Sequence, residues 1–370
     1  RRAGEADIAH CVAAYRSLQT VTLLMRRGPF SDAEIAALRG QWQAMGYDPV
    51  YYPGMAASEA NRLVVLPDTL HYDTYVALLS GGTTPPQVFD ISPTTDDRPF
   101  FFHFFRWQQT GAIVRTMGRA WQPFGGAGYL ALVVLLLVAI VASAVLLVAP
   151  LALRRRPAVR GSQATRWLAY VGLLGLGFLF VEIPLIQRYI LYLGQPVYAT
   201  AVVIASLLLA SGGGSAASQR LGQRGGAVAL VVGLLTISYP LLLDALFTVS
   251  LGLPFAVRVA LAAGSLAPLG FVLGMPFPWA LRRMEQQAPG LAPWAWAVNG
   301  CASVVGSVLA AMLAVSAGFA TVLVAAALTY GAAWLICRSC TVPISCAILS
   351  ARAGDNDTDG QPAGGQFIQH

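Results

Sequence analysis

Ser92-Pro-Thr-Thr-Asp-Asp-Arg-Pro-Phe-Phe-Phe-His-Phe-Phe105 is the stretch that divides this sequence into two unlike parts. The residues before it have the mixed composition of a water-soluble α/β domain. After it, apolar runs long enough to cross a bilayer continue almost to the end. Pro93 and Pro99 keep the stretch from forming a regular helix, because proline lacks the N–H donor and clashes with the preceding turn. We call this stretch the hinge segment.

The hinge segment places charges beside aromatic rings. Asp96, Asp97 and Arg98 are adjacent, and five phenylalanines occupy the six positions from Phe100 to Phe105. This combination is typical of the headgroup layer of a bilayer, where one end of a group is dry and the other is wet. Two interpretations follow: a hydrophobic plug that closes a soluble domain just above the membrane, or a ligand or cation site that uses the two aspartates.

The composition indicates a membrane protein. Of the 370 residues, 56% are hydrophobic and 11% are charged, and the mean hydropathy is +0.62. The sequence contains no lysine, which excludes lysine-based Schiff-base chemistry and a P-loop within this chain. The excess charge of +7 lies in loops between the apolar runs. It therefore predicts a lipid bilayer, rather than a nucleic acid, as the partner.

A strand–helix–strand unit is predicted before the hinge segment. Thr20–Met25 is apolar and β-branched, as is typical of a strand. Ser31 and Glu34 have the spacing of a capping box, which begins a helix that we expect to end near Met45. Residues 48–52 are predicted to form the second strand. Such a unit is found at the end of doubly wound α/β domains.

Three further segments flank this unit and the hinge segment. A short strand over 63–66 and a helix over 73–80 are predicted before the hinge segment. Over 106–124, arginines alternate with tryptophan and apolar residues, which predicts a helix lying in the membrane surface, with an exposed linker as the alternative. The last residues, 338–370, are predicted to form a disordered tail.

Seven apolar runs follow the hinge segment, each close to or above the roughly 20 residues that span a bilayer. They cover residues 128–151, 167–187, 197–217, 227–247, 255–280, 294–316 and 319–337. The last two runs lie so close together that six or eight spans remain alternatives. Five arginines in the loop 154–166 predict that this loop is cytoplasmic, which would place the part before the hinge segment outside.

Three ionisable residues, Glu182, Asp244 and Arg258, are predicted to lie in the same third of the membrane, nearest the hinge segment. Arg188 is predicted to lie just beyond them on the same side. Because a charge near the bilayer centre costs about 2.5–3.5 kcal/mol or more, such residues usually face the bundle interior and pair with one another. The alternatives are a structural network of ion pairs and hydrogen bonds, or a route for a substrate or a proton.

The opposite side of the membrane is predicted to contain an interrupted helix. Pro276 and Pro278 remove two helix donors from the fifth run, and Asn299 is expected to open the sixth. The freed carbonyls and the amide could line a cavity, as in transporters with interrupted helices, or simply stabilise a kink. Small residues at intervals of four predict close helix packing. They are Ala302, Gly306, Ala310 and Ala314 in the sixth run, and Gly270 and Gly274 in the fifth.

Five segments, taken in order, resemble one family of proteins. They are Arg-Arg-Gly-Pro-Phe-Ser-Asp-Ala-Glu (26–34), Thr-Asp-Asp-Arg-Pro-Phe-Phe-Phe (95–102), Gly-Phe-Leu-Phe-Val-Glu-Ile-Pro-Leu-Ile-Gln-Arg (177–188), Gly-Met-Pro-Phe-Pro (274–278) and Pro-Trp-Ala-Trp-Ala-Val-Asn-Gly (293–300). The chain is similar in these segments to bacterial membrane proteins that combine a spermidine-synthase-like, methyltransferase-fold domain with a multi-span region. The resemblance covers roughly residues 15–337.

The resemblance implies the fold class: an α-helical multi-span membrane bundle preceded by the C-terminal strand–helix–strand part of a Rossmann-like, methyltransferase-type α/β domain. Residues 1–105 would form that part, 106–127 an interfacial linker, 128–337 the membrane domain and 338–370 the tail. The core of the α/β domain, with any S-adenosylmethionine-type nucleotide, would lie upstream. No Gly-x-Gly-x-x-Gly fingerprint occurs before the hinge segment, so we expect no cofactor or catalytic residue within this chain.

Three functions are consistent with these expectations. The resemblance implies the membrane half of a bacterial inner-membrane protein whose full length performs polyamine aminopropyl transfer, with a polyamine or another small molecule as substrate. A cytoplasmic nucleotide cofactor would conflict with the orientation that the arginines predict. The second function is a transporter-like module for a small, cationic solute. The third is a membrane anchor or assembly module.

Overall fold

The computed structural model describes residues 8–17, 20–63, 69–81, 90, 92–101, 103–106, 108, 110–111, 127–154 and 162–340. The chain divides into two compact units. The first unit comprises Arg1–Ile91 with Arg106–Gly111, and the helical unit comprises Ser92–Phe105 with Ala112–His370. The hinge segment, which we placed at the end of the first domain, therefore belongs to the helical unit.

The first unit is built on a three-stranded sheet. Its strands are β1 (Val12–Ser17), β2 (Thr20–Met25) and β3 (Asp48–Tyr51), in the order β2-β1-β3, and β1 is antiparallel to both neighbours. Consequently β2 and β3 run in the same direction with β1 inserted between them. The predicted strand–helix–strand unit is confirmed as a set of elements. The insertion of β1 between its two strands was not predicted.

Local sequence signals set the limits of the helix that connects β2 to β3. This helix, α1 (Asp32–Met45), begins with the predicted capping box, in which the Ser31 amide donates to the Glu34 carboxylate at 2.8 Å. It ends at Gly46, whose φ of 69° is the left-handed conformation that glycine adopts most readily. Ile35 and Trp42 pack into a small core with residues from β1 and the segment after β3.

The remaining predictions for the first unit have mixed outcomes. The helix predicted over 73–80 is present as α2 (Leu70–Ser80). The strand predicted over 63–66 is not formed at Leu63, which lies in a bend, and its other residues lie outside those described. Most of the surface helix predicted over 106–124 and the tail from residue 341 onward also lie outside the described residues. Residues 338–340, assigned to the disordered tail, are instead the end of the last helix.

The helical unit consists of long apolar helices and one shorter helix. They are α3 (Ala127–Ser143), which continues through a π-helical turn (Ala144–Val148) into Ala149–Arg154, then α4 (Ser162–Leu193), α5 (Pro196–Ala217), α6 (Val228–Ser250), α7 (Phe255–Leu273), the shorter α8 (Pro276–Gln287), α9 (Ala292–Ala317) and α10 (Phe319–Cys340). The helix α4 lies at the centre, because it packs against α5, α9 and α10 and contributes most of the largest buried aromatic side chains.

Six continuous helical stretches in the described residues are long and apolar enough to cross a membrane. They are Gly128–Leu153, Ser162–Leu193, Pro196–Ser250, Phe255–Gln287, Ala292–Ala317 and Phe319–Arg338. Pro196–Ser250 has 55 residues, about 80 Å as one helix and far more than the roughly 30 Å of hydrocarbon. The structure divides this stretch at Gly222, which leaves the helical conformation, so α5 and α6 are separate helices. The chain is therefore a multi-pass helical membrane protein.

Small residues allow the helices to approach closely, as predicted. A Cβ atom at Gly306 of α9 would lie 3.2–3.4 Å from atoms of Leu176 in α4, and one at Gly270 of α7 would lie 3.0–3.2 Å from Ala210 and Leu207 in α5. At these distances the neighbouring residue would have to shift by a few tenths of an ångström to admit even a methyl group. Since lipid tails are as apolar as leucine, close packing of this kind is a main source of helix association within a bilayer.

Candidate functional site

The first turn of α10 is capped by Asp97 of the hinge segment. The backbone amide of Phe319 donates to the Asp97 carbonyl at 2.9 Å, and the amide of Ala320 donates to the Asp97 carboxylate at 2.9 Å. The first amides of a helix have no partner within the helix, and a carboxylate there also interacts favourably with the helix dipole. Asp97 therefore serves as an N-terminal cap for α10, although more than two hundred residues separate the two in sequence.

Arg98, the residue after Asp97, binds the C-terminus of the preceding helix, α9. The Arg98 Nε donates to the carbonyl of Val315 at 2.9 Å, and its Nη1 donates to the Ser92 hydroxyl at 3.2 Å. A cation at a helix C-terminus is stabilised by the last carbonyls and by the dipole. The neighbours Asp97 and Arg98 thus bind the two helix ends that meet at Gly318. A Cβ atom at Gly318 would clash with the Asp97 carboxylate, and its φ of 88° also favours glycine.

Arg188 connects the hinge segment to two helices. Its Nη2 donates to the Asp97 carboxylate at 3.0 Å, and its Nη1 donates to the Asp244 carboxylate of α6 at 2.7 Å. The Arg188 side chain is only 10% exposed, whereas Asp97 is 35% and Asp244 is 66% exposed. The buried guanidinium is therefore neutralised by two carboxylates at the surface of the bundle. Its Nε has no hydrogen-bond partner among the described residues.

These contacts define one end of the bundle, which we call the Asp97 end. The helices α4, α6 and α9 end here, and α10 begins here. Arg258, near the start of α7, joins them because its Nη1 donates to the Tyr192 carbonyl at 2.6 Å. At the opposite end, Arg282 of α8 donates to the hydroxyl of Ser218, just after α5.

An open cleft of about 690 Å³ lies at the Asp97 end, within the helical unit. Its charged lining residues are Asp96, Asp97, Asp244 and Arg188. The remaining lining residues are Thr95, Leu191, Tyr192, Phe247, Thr248 and Leu251. The Tyr192 and Phe247 rings are stacked with their centroids 4.3 Å apart. The cleft thus combines three carboxylates, one guanidinium and a stacked aromatic pair.

The structure brings together only some of the ionisable residues singled out from the sequence. Arg188 and Asp244 are in contact, and Arg258 lies near them at the Asp97 end. Glu182 is on α4, six residues before Arg188 and about 9 Å along the helix axis. It is half-buried and makes no hydrogen bond or ion pair with any other described residue, and it does not line the cleft. The predicted pairing of Glu182 is thus not observed in the part of the chain that the structure describes.

The interrupted helix at the other side is present, but it does not form a site with Asn299. The fifth run ends as α7 at Leu273, and Pro276 is the first residue of α8, so the chain restarts a helix there with Pro278 inside its first turn. Asn299 does not open a helix, since it lies well inside α9, where its amide donates to the Val171 carbonyl of α4 at 2.9 Å. This bond ties two helices together.

The hinge aromatics pack against the helices. Phe100 makes an edge contact with Phe319, with ring centroids 5.6 Å apart. Phe105 is buried and stacks on Tyr129 of α3 at 5.1 Å. Phe101 remains 68% exposed, as expected for a residue at a bilayer surface. Phe100 and Phe105 therefore attach the hinge segment to the helical bundle by apolar packing.

Three features of the site were missed from the sequence: the caps on α9 and α10, the stacked pair Tyr192–Phe247, and the close approach at Gly318. One signal was available for the caps. Gly318, which precedes α10, has no side chain to accept from the first amides, so the sequence required a cap from elsewhere.

The first unit contains a second polar cluster whose members satisfy one another. The Tyr52 hydroxyl donates to Glu59 at 2.5 Å, and Arg39 pairs with Glu59 at 2.8 Å. Burial and the bond to Glu59 raise the pKa of Tyr52 to about 12, and the Tyr52 hydroxyl lowers the pKa of the Glu59 carboxyl. Beside them lies a cavity of about 180 Å³. Two of its lining residues, Arg39 and Glu59, are already paired with each other.

The start of α1 does not have the features of a site for a nucleotide cofactor of the S-adenosylmethionine type. The loop that leads from β2 into α1 contains one glycine, Gly28, instead of a glycine-rich turn. At the start of α1, where a phosphate or other anion would bind, the Glu34 carboxylate already accepts from the Ser31 amide. No group of three or more metal-ligating side chains occurs in the part of the chain that the structure describes.

Comparison with known proteins identifies no relative: no protein-family model, no curated protein and no solved structure matches the chain. The class is therefore defined by the fold and the site alone. It is a multi-pass helical membrane protein with a small three-stranded sheet unit and a charged cleft at one end of its helical bundle.

Proposed function

We propose that this chain is the membrane-embedded C-terminal part of a larger spermidine-synthase-like protein of a bacterial inner membrane. Polyamine aminopropyl transfer, with its S-adenosylmethionine-type nucleotide, would belong to an α/β domain upstream. The proposal is supported by the five ordered segments that resemble this family. It is also supported by the connection from β2 through α1 to β3, in which a helix joins two strands that run in the same direction, as in doubly wound domains, although here the antiparallel β1 lies between them.

One observation carries this proposal furthest: an uncovered apolar face on the edge strand β2. Val21, Leu23 and Met25 alternate along the strand and are 41%, 48% and 69% exposed. A strand at a sheet edge with exposed apolar side chains normally pairs with, or is covered by, another element. An upstream α/β core would provide that cover.

The test is to determine the coding sequence that precedes this chain and to assay the full-length polypeptide. We expect a strand followed by a glycine-rich loop upstream, and binding of an S-adenosylmethionine-type nucleotide that survives Glu182→Gln. A matched variant, Glu34→Gln, should also leave nucleotide binding intact because α1 holds no cofactor in this proposal. An upstream sequence without such a loop, or a full-length protein that binds neither nucleotide nor polyamine, would overturn the enzyme assignment.

The orientation of the first unit separates two versions of the proposal. A cofactor-using domain requires the cytoplasmic side. The arginines of loop 154–166, however, predict that this loop is cytoplasmic, which would place the first unit outside. Fusion of a reporter enzyme that is active only in the cytoplasm, placed after Gly81, would decide between them. Activity supports the enzyme proposal, and inactivity means that the arginine rule holds and that the domain uses no cytoplasmic nucleotide.

The cleft favours a second candidate, a transporter-like module for a small cationic solute. Three of its four charged lining residues are carboxylates, at a bundle end that is open to the surroundings. Purified protein in proteoliposomes would then take up the solute, and Asp244→Asn would reduce uptake. If Glu182 lies on the route, Glu182→Gln abolishes uptake. Unchanged uptake in both variants would exclude a path through these residues.

A further inference from the structure

The cleft at the Asp97 end has an unbalanced set of charges. Its wall carries the carboxylates of Asp96, Asp97 and Asp244 against the single guanidinium of Arg188. The Asp96 side chain is exposed and makes no hydrogen bond or ion pair with another described residue. Asp244 uses one oxygen for Arg188 and is 66% exposed. Carboxylate oxygens are therefore available to a ligand, with no equal supply of positive charge from the wall.

The two other cations nearby are engaged elsewhere. Arg98 donates to the carbonyl of Val315 and to the Ser92 hydroxyl. Arg258 donates to the Tyr192 carbonyl, and its guanidinium lies 5.8 Å from the Tyr192 ring centroid, but it does not line the cleft. Neither guanidinium lines the cleft, so neither fills the space next to Asp96 and Asp244.

Arg188 is the positive group on the buried side of the cleft. Its side chain is nine-tenths buried, and its two Nη groups donate to Asp97 and to Asp244. The charge of Arg188 is therefore already neutralised within the protein. The Asp96 carboxylate and the second carboxylate oxygen of Asp244 make no hydrogen bond with another described residue.

The remaining wall suits the apolar body of an organic cation. Tyr192 and Phe247 form a stacked pair, and Leu191 and Leu251 lie beside them. Aromatic faces attract cations through their quadrupole, and the attraction grows when water is excluded. A volume of about 690 Å³ is within the range of pockets that hold small molecules. A hydrated metal ion would not use this apolar wall.

We propose that the cleft binds the ammonium group of an organic cation between Asp96 and Asp244, with its carbon body against Phe247. The ammonium group could come from a free amine or from the headgroup of an aminolipid, because the cleft opens at the end of the membrane bundle. The inference deepens the transporter-like candidate by naming its ligand class. It rests on that candidate only for passage across the membrane, since binding is measurable without transport.

The test uses the whole chain in dodecyl maltoside micelles at low salt, with benzylammonium as the probe in isothermal titration calorimetry. Benzyl alcohol and benzoate have the same ring without the positive charge. We expect saturable binding of benzylammonium, and at least tenfold weaker binding of the other two compounds. Asp96→Asn should weaken benzylammonium binding about threefold, and Asp244→Asn at least fivefold.

Comparison of the two variants with one control distinguishes loss of the binding site from misfolding of the protein. Asp244→Asn removes a partner of Arg188, but Asp96→Asn removes no described contact and should leave the fold unchanged. Glu285→Gln changes an exposed carboxylate of α8, on the far side from the cleft, and should leave the affinity unchanged. Equal affinities for wild type and Asp96→Asn, or equal binding of benzyl alcohol, would overturn the proposal.

Lipid composition separates the two sources of the ammonium group. In nanodiscs with a fixed content of phosphatidylglycerol, replacing a neutral glycolipid by phosphatidylethanolamine should weaken benzylammonium binding if the headgroup occupies the cleft, and should have no effect if the ligand is a free amine. Benzylammonium binding without uptake in proteoliposomes would support the site and refute transport. Absence of binding from both micelles and phosphatidylglycerol nanodiscs would refute the site, whatever the upstream domain does.

Discussion

Replacement of Asp97 by alanine should destabilise the helical unit by about 2.5 kcal/mol. The carboxylate caps the first turn of α10 through Ala320, and loss of an N-terminal cap costs about 1 kcal/mol. It also accepts a charge-assisted bond from Arg188, and such bonds are worth about 1.5 kcal/mol or more. Because Asp244 remains bonded to Arg188, no buried charge is left without a partner, and the larger penalty for an isolated ion does not apply.

The matched control is Asp96→Ala, one residue earlier. Asp96 is exposed and makes no hydrogen bond or ion pair with another described residue, so its replacement should change stability by less than about 0.5 kcal/mol. Both variants can be unfolded by sodium dodecyl sulfate from dodecyl maltoside micelles and followed by circular dichroism. Asp97→Asn should fall between them, because the amide oxygen can still accept from Ala320 but carries no charge.

Equal stabilities of Asp97→Ala and Asp96→Ala would refute the reasoning, since the hinge segment would then not hold α10. A double-mutant cycle with Arg188→Gln adds a second criterion. The two residues are in contact, so their effects should not add, whereas a strictly additive result would show that they do not interact in the membrane protein.

Three further predictions follow from other contacts. Gly318→Ala should lower the free energy of unfolding by about 1–3 kcal/mol, because φ is 88° and the new methyl group would displace the Asp97 carboxylate. In the same unfolding assay, its effect should not add to that of Asp97→Ala. Asp48→Ala should destabilise the first unit by about 3 kcal/mol or more, because it would leave the buried Arg16 without its ion-pair partner. The two side chains are 3.2 Å apart and only 6% and 2% exposed. Limited proteolysis between β1 and β3 should accelerate in this variant and not in the control Asp32→Ala. The bonds from Ser31 hold the pKa of Glu34 below its ordinary value of 4.5. The stability that the charged form provides is therefore present above pH 4.5 and lost as the pH falls through the lowered pKa. Hydrogen-exchange protection of residues 32–45 should follow this course, and Glu34→Gln should remove this pH dependence.

The parts of the fold with local signals were predictable from the sequence. The start of α1 depends on Ser31 and Glu34, and its end on Gly46, all of which act within one turn of the helix. The apolar helices follow from the length of the apolar runs, since no other backbone arrangement of that length satisfies its polar groups in lipid.

The arrangement of the sheet could not be predicted in the same way. Val12–Ser17 is short and contains two alanines and an arginine, so it has little strand propensity of its own. It becomes the central strand because both neighbours pair with it and because Arg16 meets Asp48 across the sheet. Such pairings depend on tertiary contacts, which a single sequence does not contain.

The candidate site was predictable in its residues but only partly in its geometry. Alternation of the spans places Arg188, Asp244 and Arg258 at one end of the bundle, and the structure has them there. The same argument does not determine rotation about a helix axis, which decides whether Glu182 meets a partner. The link from Asp97 to α10 is still less accessible, because it joins segments more than two hundred residues apart.

The sidedness of three introduced cysteines tests the account most directly. In a variant with the native cysteines replaced by alanine, Asp96→Cys, Asp244→Cys and Glu285→Cys would each be treated with a membrane-impermeant maleimide in sealed, oriented vesicles. The structure predicts that residues 96 and 244 react from the same face and residue 285 from the opposite face. Reaction of residues 96 and 244 from different faces would contradict the gathering of the hinge segment and α6 at one end of the bundle.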